Sequence, residues 1–207
     1  MKRALVLVDI QNDFIPGGAL AVAEGHEVVP VANRVAKEFE IVVATQDWHP
    51  ENHGSFASQH EGKNPGETIE LGGIPQVLWP DHCVQDSRGA EFHPDLDTSV
   101  LTKVFRKGTD PAIDSYSGFF DNGHLRSTGM GEWLREEGVT DIWVMGLATD
   151  YCVKFTALDG VKLELNVRLI EDGCRGVKLE PQDSESAIEE MRVAGVEIVT
   201  SDALRLE

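Results

Sequence analysis

The chain reads as an α/β fold, a single domain over residues 1–207 built on a doubly wound, mostly parallel six-stranded sheet with helices on both faces. Three observations predict it. Short runs rich in Val, Ile and Leu recur along the chain, and they are continuous rather than alternating, as strands covered on both faces are. Segments with apolar residues at helical spacing fall between them, and strand–helix alternation of this kind builds parallel sheets. A length of 207 residues is enough to bury the core such a sheet needs without staples.

The elements follow in order. A first strand spans 4–8; the start of the chain is basic and then apolar, but Asp9 ends the apolar run too early for a signal segment. Residues 27–38 carry Val28, Val31, Ala32, Val35 and Ala36 at helical spacing. A strand at 41–44 comes next. The region 47–97 is dense in Pro, Gly, His and Asn and holds five of the seven histidines: His49, His53, His60, His82 and His93. A loop that long inside a compact domain is functional or disordered. Trp48, Phe56, Trp79 and Phe92 argue against disorder, because disordered segments are poor in aromatics. Then come a strand at 99–105, a helix at 125–137 with Gly138 as its C-cap, and a strand at 142–145. A helix at 149–163, a strand at 167–170, a helix at 182–194 behind Pro181, and a strand at 196–199 complete the chain. Right-handed crossovers put helices on both faces.

Composition excludes several function classes. The 41% apolar and 26% charged residues are those of an ordinary soluble globular protein. A net charge of −18 argues against nucleic acid or an anionic membrane surface as partner, since both require basic patches. No apolar run approaches the ~20 residues that span a bilayer. Three cysteines, an odd number spread far apart, make no disulfide framework, and a reducing cytoplasm is the compartment that fits.

Two constellations carry chemistry. In open parallel sheets the ligand lies beyond the carboxyl ends of the strands. Asp9, Lys107 and Cys152 each fall at or just beyond such an end. A carboxylate, an ammonium and a thiol meeting there work as a unit: Asp9 takes the thiol proton and Lys107 stabilises the shared negative charge. Cys152 also sits where a strand hands over to a helix, a position that favours thiolate and offers backbone N–H groups to an oxyanion. Taken alone it reads first as an ordinary core thiol. The second constellation is Asp47-Trp48-His49 with Asp81-His82-Cys83. Asp and His at i, i+2, closed by a later histidine, make a three-ligand site with open positions, the pattern of catalytic Zn²⁺ or Fe²⁺. Turn-forming Asp and hydrogen-bonding His are the alternative. Cys83 reads as structural, because neighbouring side chains diverge in an extended chain.

The runs Val8-Asp9-Ile10-Gln11-Asn12-Asp13-Phe14, Thr45-Gln46-Asp47-Trp48-His49-Pro50, Trp79-Pro80-Asp81-His82-Cys83, Phe105-Arg106-Lys107-Gly108, Tyr116-Ser117-Gly118-Phe119 and Gly146-Leu147-Ala148-Thr149-Asp150-Tyr151-Cys152 resemble those of the nicotinamidases in the isochorismatase-like cysteine hydrolase superfamily, over essentially the whole chain. The resemblance implies an amidohydrolase that converts nicotinamide to nicotinate and ammonia through a cysteine thioester, in NAD salvage, and that accepts pyrazinamide. It implies a catalytic Asp9, Lys107 and Cys152, and a divalent metal on Asp47, His49 and His82: zinc first, with Fe²⁺ and Mn²⁺ as alternatives. Phe14 and Trp79, with Tyr116, match residues that wall the ring. Leu147–Ala148 matches a cis peptide that aims the Ala148 N–H, with that of Cys152, at the oxyanion. Some relatives place a further histidine ligand where this chain has Ser55. Either Ser55 through a water or His53 then completes the metal's shell. A small-molecule substrate is the implied partner, and a homo-oligomer is compatible with it. A metal-free relative acting on ureido or carbamoyl amides, or on isochorismate, would have no need of Asp47, His49 and His82. A non-catalytic scaffold would not need Asp9, Lys107 and Cys152, and a metallohydrolase would leave Cys152 unexplained.

Overall fold

The run Ala4-Leu5-Val6-Leu7-Val8 is buried along its whole length and becomes the centre of a six-stranded sheet. The computed structural model describes residues 2–206. Its strands are β1 (Lys2–Val8), β2 (Ile41–Asp47), β3 (Thr68–Leu71), β4 (Ile74–Val77), β5 (Lys103–Lys107), β6 (Val139–Leu147), β7 (Asn166–Arg175) and β8 (Glu197–Val199). Its helices are α1 (Val28–Val35), α2 (Met130–Glu136), α3 (Lys154–Lys162) and α4 (Asp183–Val193).

The main sheet runs β5-β2-β1-β6-β7-β8, and every pairing in it is parallel. From β1 the chain steps outward one way through β2 to β5. From β6 it steps the other way through β7 to β8. Strand order therefore reverses between β1 and β6, where loops part in opposite directions and open a crevice outside the carboxyl ends. β1 and β6 approach closely there: Val8 pairs with Gly146, and a Cβ on Gly146 would lie 2.2 Å from the Val8 carbonyl oxygen.

Four expectations shift. The strand expected at 99–105 starts later, because the Asp97 carboxylate accepts the Ser99 N–H and turns 98–100 into a 3-10 turn. The helix expected at 125–137 begins only at Met130. Before it, the Asp121 carboxylate accepts the N–H groups of Gly123, Leu125 and Arg126 and holds that stretch as a turn. The helix expected at 27–38 is α-helical only over α1, with a 3-10 turn at either end. The helix expected at 149–163 opens with a π-helical turn, Thr149–Val153, so Cys152 sits in a widened turn.

The region 47–97 is ordered, and it contains an antiparallel hairpin that the reading of one long loop overlooked. Gly72 and Gly73 both have positive φ between β3 and β4, which a two-residue hairpin turn requires. Backbone bonds from Trp79 N–H to the Ser55 carbonyl, Ala57 N–H to Trp79, His49 N–H to Cys83 and Gln85 N–H to His49 fold 49–57 against 79–85. That pairing, more than sequence spacing, sets His49 beside His82.

Candidate active site

Asp9 follows β1 with φ of 48°, a left-handed conformation that costs a non-glycine residue energy and turns its side chain into the crevice. The carboxylate is fully buried. It accepts the Thr45 hydroxyl at 2.6 Å and faces the Lys107 ammonium at 2.8 Å. Lys107 ends β5 opposite Asp47 of β2, so the two side chains meet at the sheet's edge. Its Nζ reaches Asp47 Oδ1 at 2.5 Å, the Ser115 carbonyl at 2.9 Å and Cys152 Sγ at 3.3 Å. Four neighbours thus surround a group with three hydrogens.

Burial opposes charge on all of these groups, and their mutual contacts decide the outcome. For Lys107 burial is outweighed by Asp47 and Asp9, and its pKa rises well above the ordinary lysine value. Burial pushes the Asp47 carboxyl up, but Lys107 and His49 hold it well below the usual carboxylate range. Asp9 goes the other way: burial raises it more than Lys107 lowers it. Asp9 is therefore the more basic carboxylate of the pair. The Cys152 thiol is pushed well above the ordinary thiol value by burial, with Lys107 pulling against it and Asp9 and Asp47 adding to the rise. The thiolate-favouring address read from the sequence is corrected here. One ammonium does not offset desolvation beside two carboxylates, so the buried site favours the thiol over the thiolate. Iodoacetamide inactivation is accordingly expected to accelerate from about pH 7 to about pH 9 as the thiolate fraction grows. A rate already level below pH 7 would overturn this protonation state.

Asp47 Oδ2 turns from Lys107 toward two histidines, at 3.6 Å from His49 Nε2 and 3.9 Å from His82 Nε2. The Nδ1 atoms face the carbonyls of Gly108 at 2.8 Å and Pro80 at 2.7 Å. A carbonyl only accepts, so each Nδ1 carries a proton, and in the neutral ring Nε2 presents a lone pair. Two lone pairs and a carboxylate converging in a buried space repel unless a cation lies among them. Burial works against a charged His49, yet Asp47 more than offsets it and raises its pKa. His82, through burial and then His49, drops to about 4. The ligand atoms of Asp47, His49 and His82 lie within 4.8 Å of one another, and the donor set fits one divalent cation. Gly108 is required here, since a Cβ would fall 2.3 Å from His49 Cε1. His53 and Ser55 are fully buried and bond each other through Nδ1 and Oγ at 2.7 Å. The His53 ring lies 4.3 Å from that of His49, and neither residue lines the cavity.

That cavity, about 350 Å³, opens at the switch point. Asp47 and His82 line it together with Cys152 and Ala148, and Phe14, Trp79 and Tyr116 add aromatic surface. The Leu147–Ala148 peptide is cis. Phe14 lies 5.5 Å from His82, ring to ring, and the Trp79 Nε1–H donates to the Tyr116 hydroxyl at 3.2 Å. Aromatic walls with a few convergent polar groups suit a small aromatic ligand.

Several residues of the site escaped the sequence reading. Gln11 copies a strand partner: its Oε1 accepts the Asp47 N–H and its Nε2 donates to the Asp47 carbonyl, at 2.9 and 2.8 Å. Asp13 accepts the N–H of Cys83 at 2.8 Å and of Ala19 at 3.2 Å, tying the turn that bears Phe14 to the loop that bears His82. Asp114 and Tyr151 line the cavity, with the Tyr151 ring 4.8 Å from that of Trp79. The available signal was polar residues inside the same short runs as the reactive ones. Cys83, as read, is structural: its Sγ faces the Gly89 carbonyl.

The model of the isochorismatase domain matches residues 3–203. The chain belongs to the isochorismatase family. Among family members, the nicotinamidase of Escherichia coli (strain K12) is 55% identical over 202 residues, covering 96% of this chain and 94% of that one. The solved nicotinamidase–pyrazinamidase of Acinetobacter baumanii superposes with a TM-score of 0.95 at 48% identity, covering 98% of both chains. The pyrazinamidase of Pyrococcus horikoshii, solved in complex with zinc, gives 0.78 at 39% identity over 97% of this chain and 99% of that one. The parallel six-stranded sheet is the isochorismatase-like fold these structures share.

Proposed function

We propose that this chain hydrolyses nicotinamide to nicotinate and ammonia, supplying nicotinate to NAD salvage. The observation that carries the proposal is the double use of Asp47. One carboxylate oxygen joins the Asp9–Lys107–Cys152 group and the other joins the His49–His82 group, on the rim of one aromatic-walled cavity. A nucleophile and a metal grip a few ångströms apart suit a small heteroaromatic amide. Pyrazinamide, with a ring of the same size, is a second expected substrate. The single hydrophobic cluster running from β1 to Leu204 supports one domain, and three free buried cysteines fit a cytoplasmic setting.

Asp9 takes the Cys152 proton as sulfur attacks the carboxamide carbon. The C–S bond forms and the carbonyl becomes an oxyanion, which the Ala148 and Cys152 N–H groups face. Removing a donor of that kind costs roughly 10²-fold or more in rate. Asp9 returns the proton to nitrogen, the C–N bond breaks, and ammonia leaves behind a thioester. A water that gives its proton to Asp9 attacks the thioester; nicotinate departs, and the proton passes back to sulfur. Asp9 serves as base, acid and base in turn. Lys107 holds the charge that Asp9 and Cys152 exchange. Asp47, His49 and His82 would hold a divalent ion, zinc by preference, which when bound would supply a Lewis acid to anchor the ring nitrogen.

Ammonia release from nicotinamide, measured with and without a chelator, tests the reading. Turnover is expected, to fall on chelation and to return with added zinc. No ammonia from the metal-loaded protein would overturn it. His82→Ala is expected to bind zinc more than about tenfold more weakly and to raise KM. Unchanged zinc content in that variant would remove the metal assignment.

A further inference from the structure

Beyond β7 the chain must cross to α4, and β6 is no longer there to pair with it: the last pairing is Leu147 with Arg175. Two consecutive N–H groups of this crossing find one side chain instead. Asp150 Oδ1 accepts the Val177 N–H at 2.9 Å and Oδ2 accepts the Lys178 N–H at 2.7 Å. The carboxylate is buried, in the same π-helical turn as Cys152. The loop is seated closely on it. A Cβ on Gly176 would lie 3.1 Å from Asp150 Oδ2 and 1.9 Å from Ser184 Oγ. Lys178 takes φ of 56°, which lets both N–H groups face the one carboxylate. The result is that Val177 lines the cavity, together with Leu20.

We propose that Asp150 is a positioning residue which fastens the 176–178 loop to the nucleophile's turn, and that the Val177 side chain it holds in place sets the size of ring substituent the site accepts. The inference rests on the nicotinamide reading and goes beyond it. Leu20 and Val177 are aliphatic walls with no part in the proton or metal chemistry, so they act by shape. An apolar wall discriminates one methylene by roughly 10–200-fold. Asp150→Asn keeps the side chain's size but turns an amide N–H₂ toward one of the two donors, which frees that half of the clamp.

The test is ammonia release from nicotinamide and from its 2-, 4-, 5- and 6-methyl derivatives. Wild type, Val177→Ala, Val177→Leu and Asp150→Asn are compared by kcat/KM relative to nicotinamide. At least one methyl derivative is expected to gain about tenfold or more on nicotinamide in Val177→Ala and in Asp150→Asn, and to lose ground in Val177→Leu. In Asp150→Asn the change is expected mainly in KM. Amide exchange of the wild type gives a readout that needs no variant: Val177 and Lys178 N–H are expected to be protected. Unchanged substrate ratios in Val177→Ala, or rapid exchange at both amides in the wild type, overturn the inference. Wild-type protein inactive on every member of the panel overturns the nicotinamide reading itself, and this inference with it.

Discussion

Cys152→Ala is expected to lower ammonia release by about 10⁴-fold or more while the protein stays folded. The activity loss follows from the site's composition. Asp9 and Lys107 have no other nucleophile between them, and Asp47 is committed to Lys107 and the two histidines. Retention of the fold follows from the hydrogen-bond count. Without the thiol, Lys107 still has Asp9, Asp47 and the Ser115 carbonyl, three acceptors for its three hydrogens. Replacing a thiol by a methyl at a small buried position leaves no large void, so the melting temperature is expected to shift by less than about 4 °C. Turnover within tenfold of wild type would remove Cys152 as the nucleophile.

Gly146→Ala is expected to give no stably folded protein, or one whose melting temperature falls by more than about 10 °C. Gly146 has φ of 126°, outside the range a side chain tolerates, and its Cβ would meet Val8 at 2.2 Å from the carbonyl oxygen and 2.8 Å from the nitrogen. Both atoms are backbone of the central strand pair and cannot step aside without breaking the β1–β6 pairing. Gly138→Ala is the control. It too has a positive φ, but nothing lies within 4 Å of its Cβ, so only the conformational cost of about 1 kcal/mol applies. If the two variants melt within a few degrees of each other, close packing at the switch point is not what Gly146 provides.

Legibility in the sequence varied with the range of the interaction. The central strands stood out because runs such as 4–8 and 142–145 are apolar at every position, a demand made by burial on both faces. The start of β5 and the start of α2 did not stand out. There, Asp97 and Asp121 capture backbone N–H groups locally, and such captures compete with propensity one residue at a time. The hairpin β3–β4 was marked by Gly72-Gly73 and overlooked in a segment read as loop.

The reactive residues were legible as types in short runs: Asp9, Lys107 and Cys152, with Asp47, His49 and His82. Chemistry of this kind tolerates few substitutes, and each residue carries its own pattern of neighbours. Supporting residues were not legible. Gln11, Asp13 and Asp150 act by bonding backbone groups 36, 70 and 27 positions away, and nothing local distinguishes them from other polar side chains.

The residues proposed as nucleophile, base and metal donors could thus be named from the chain as written, because side-chain chemistry is a property of residue type. The protonation of Cys152 and the sharing of Asp47 between two groups belonged to the fold. Both depend on burial and on distances under 4 Å between residues as far apart as Asp9 and Lys107, 98 positions, which packing alone creates.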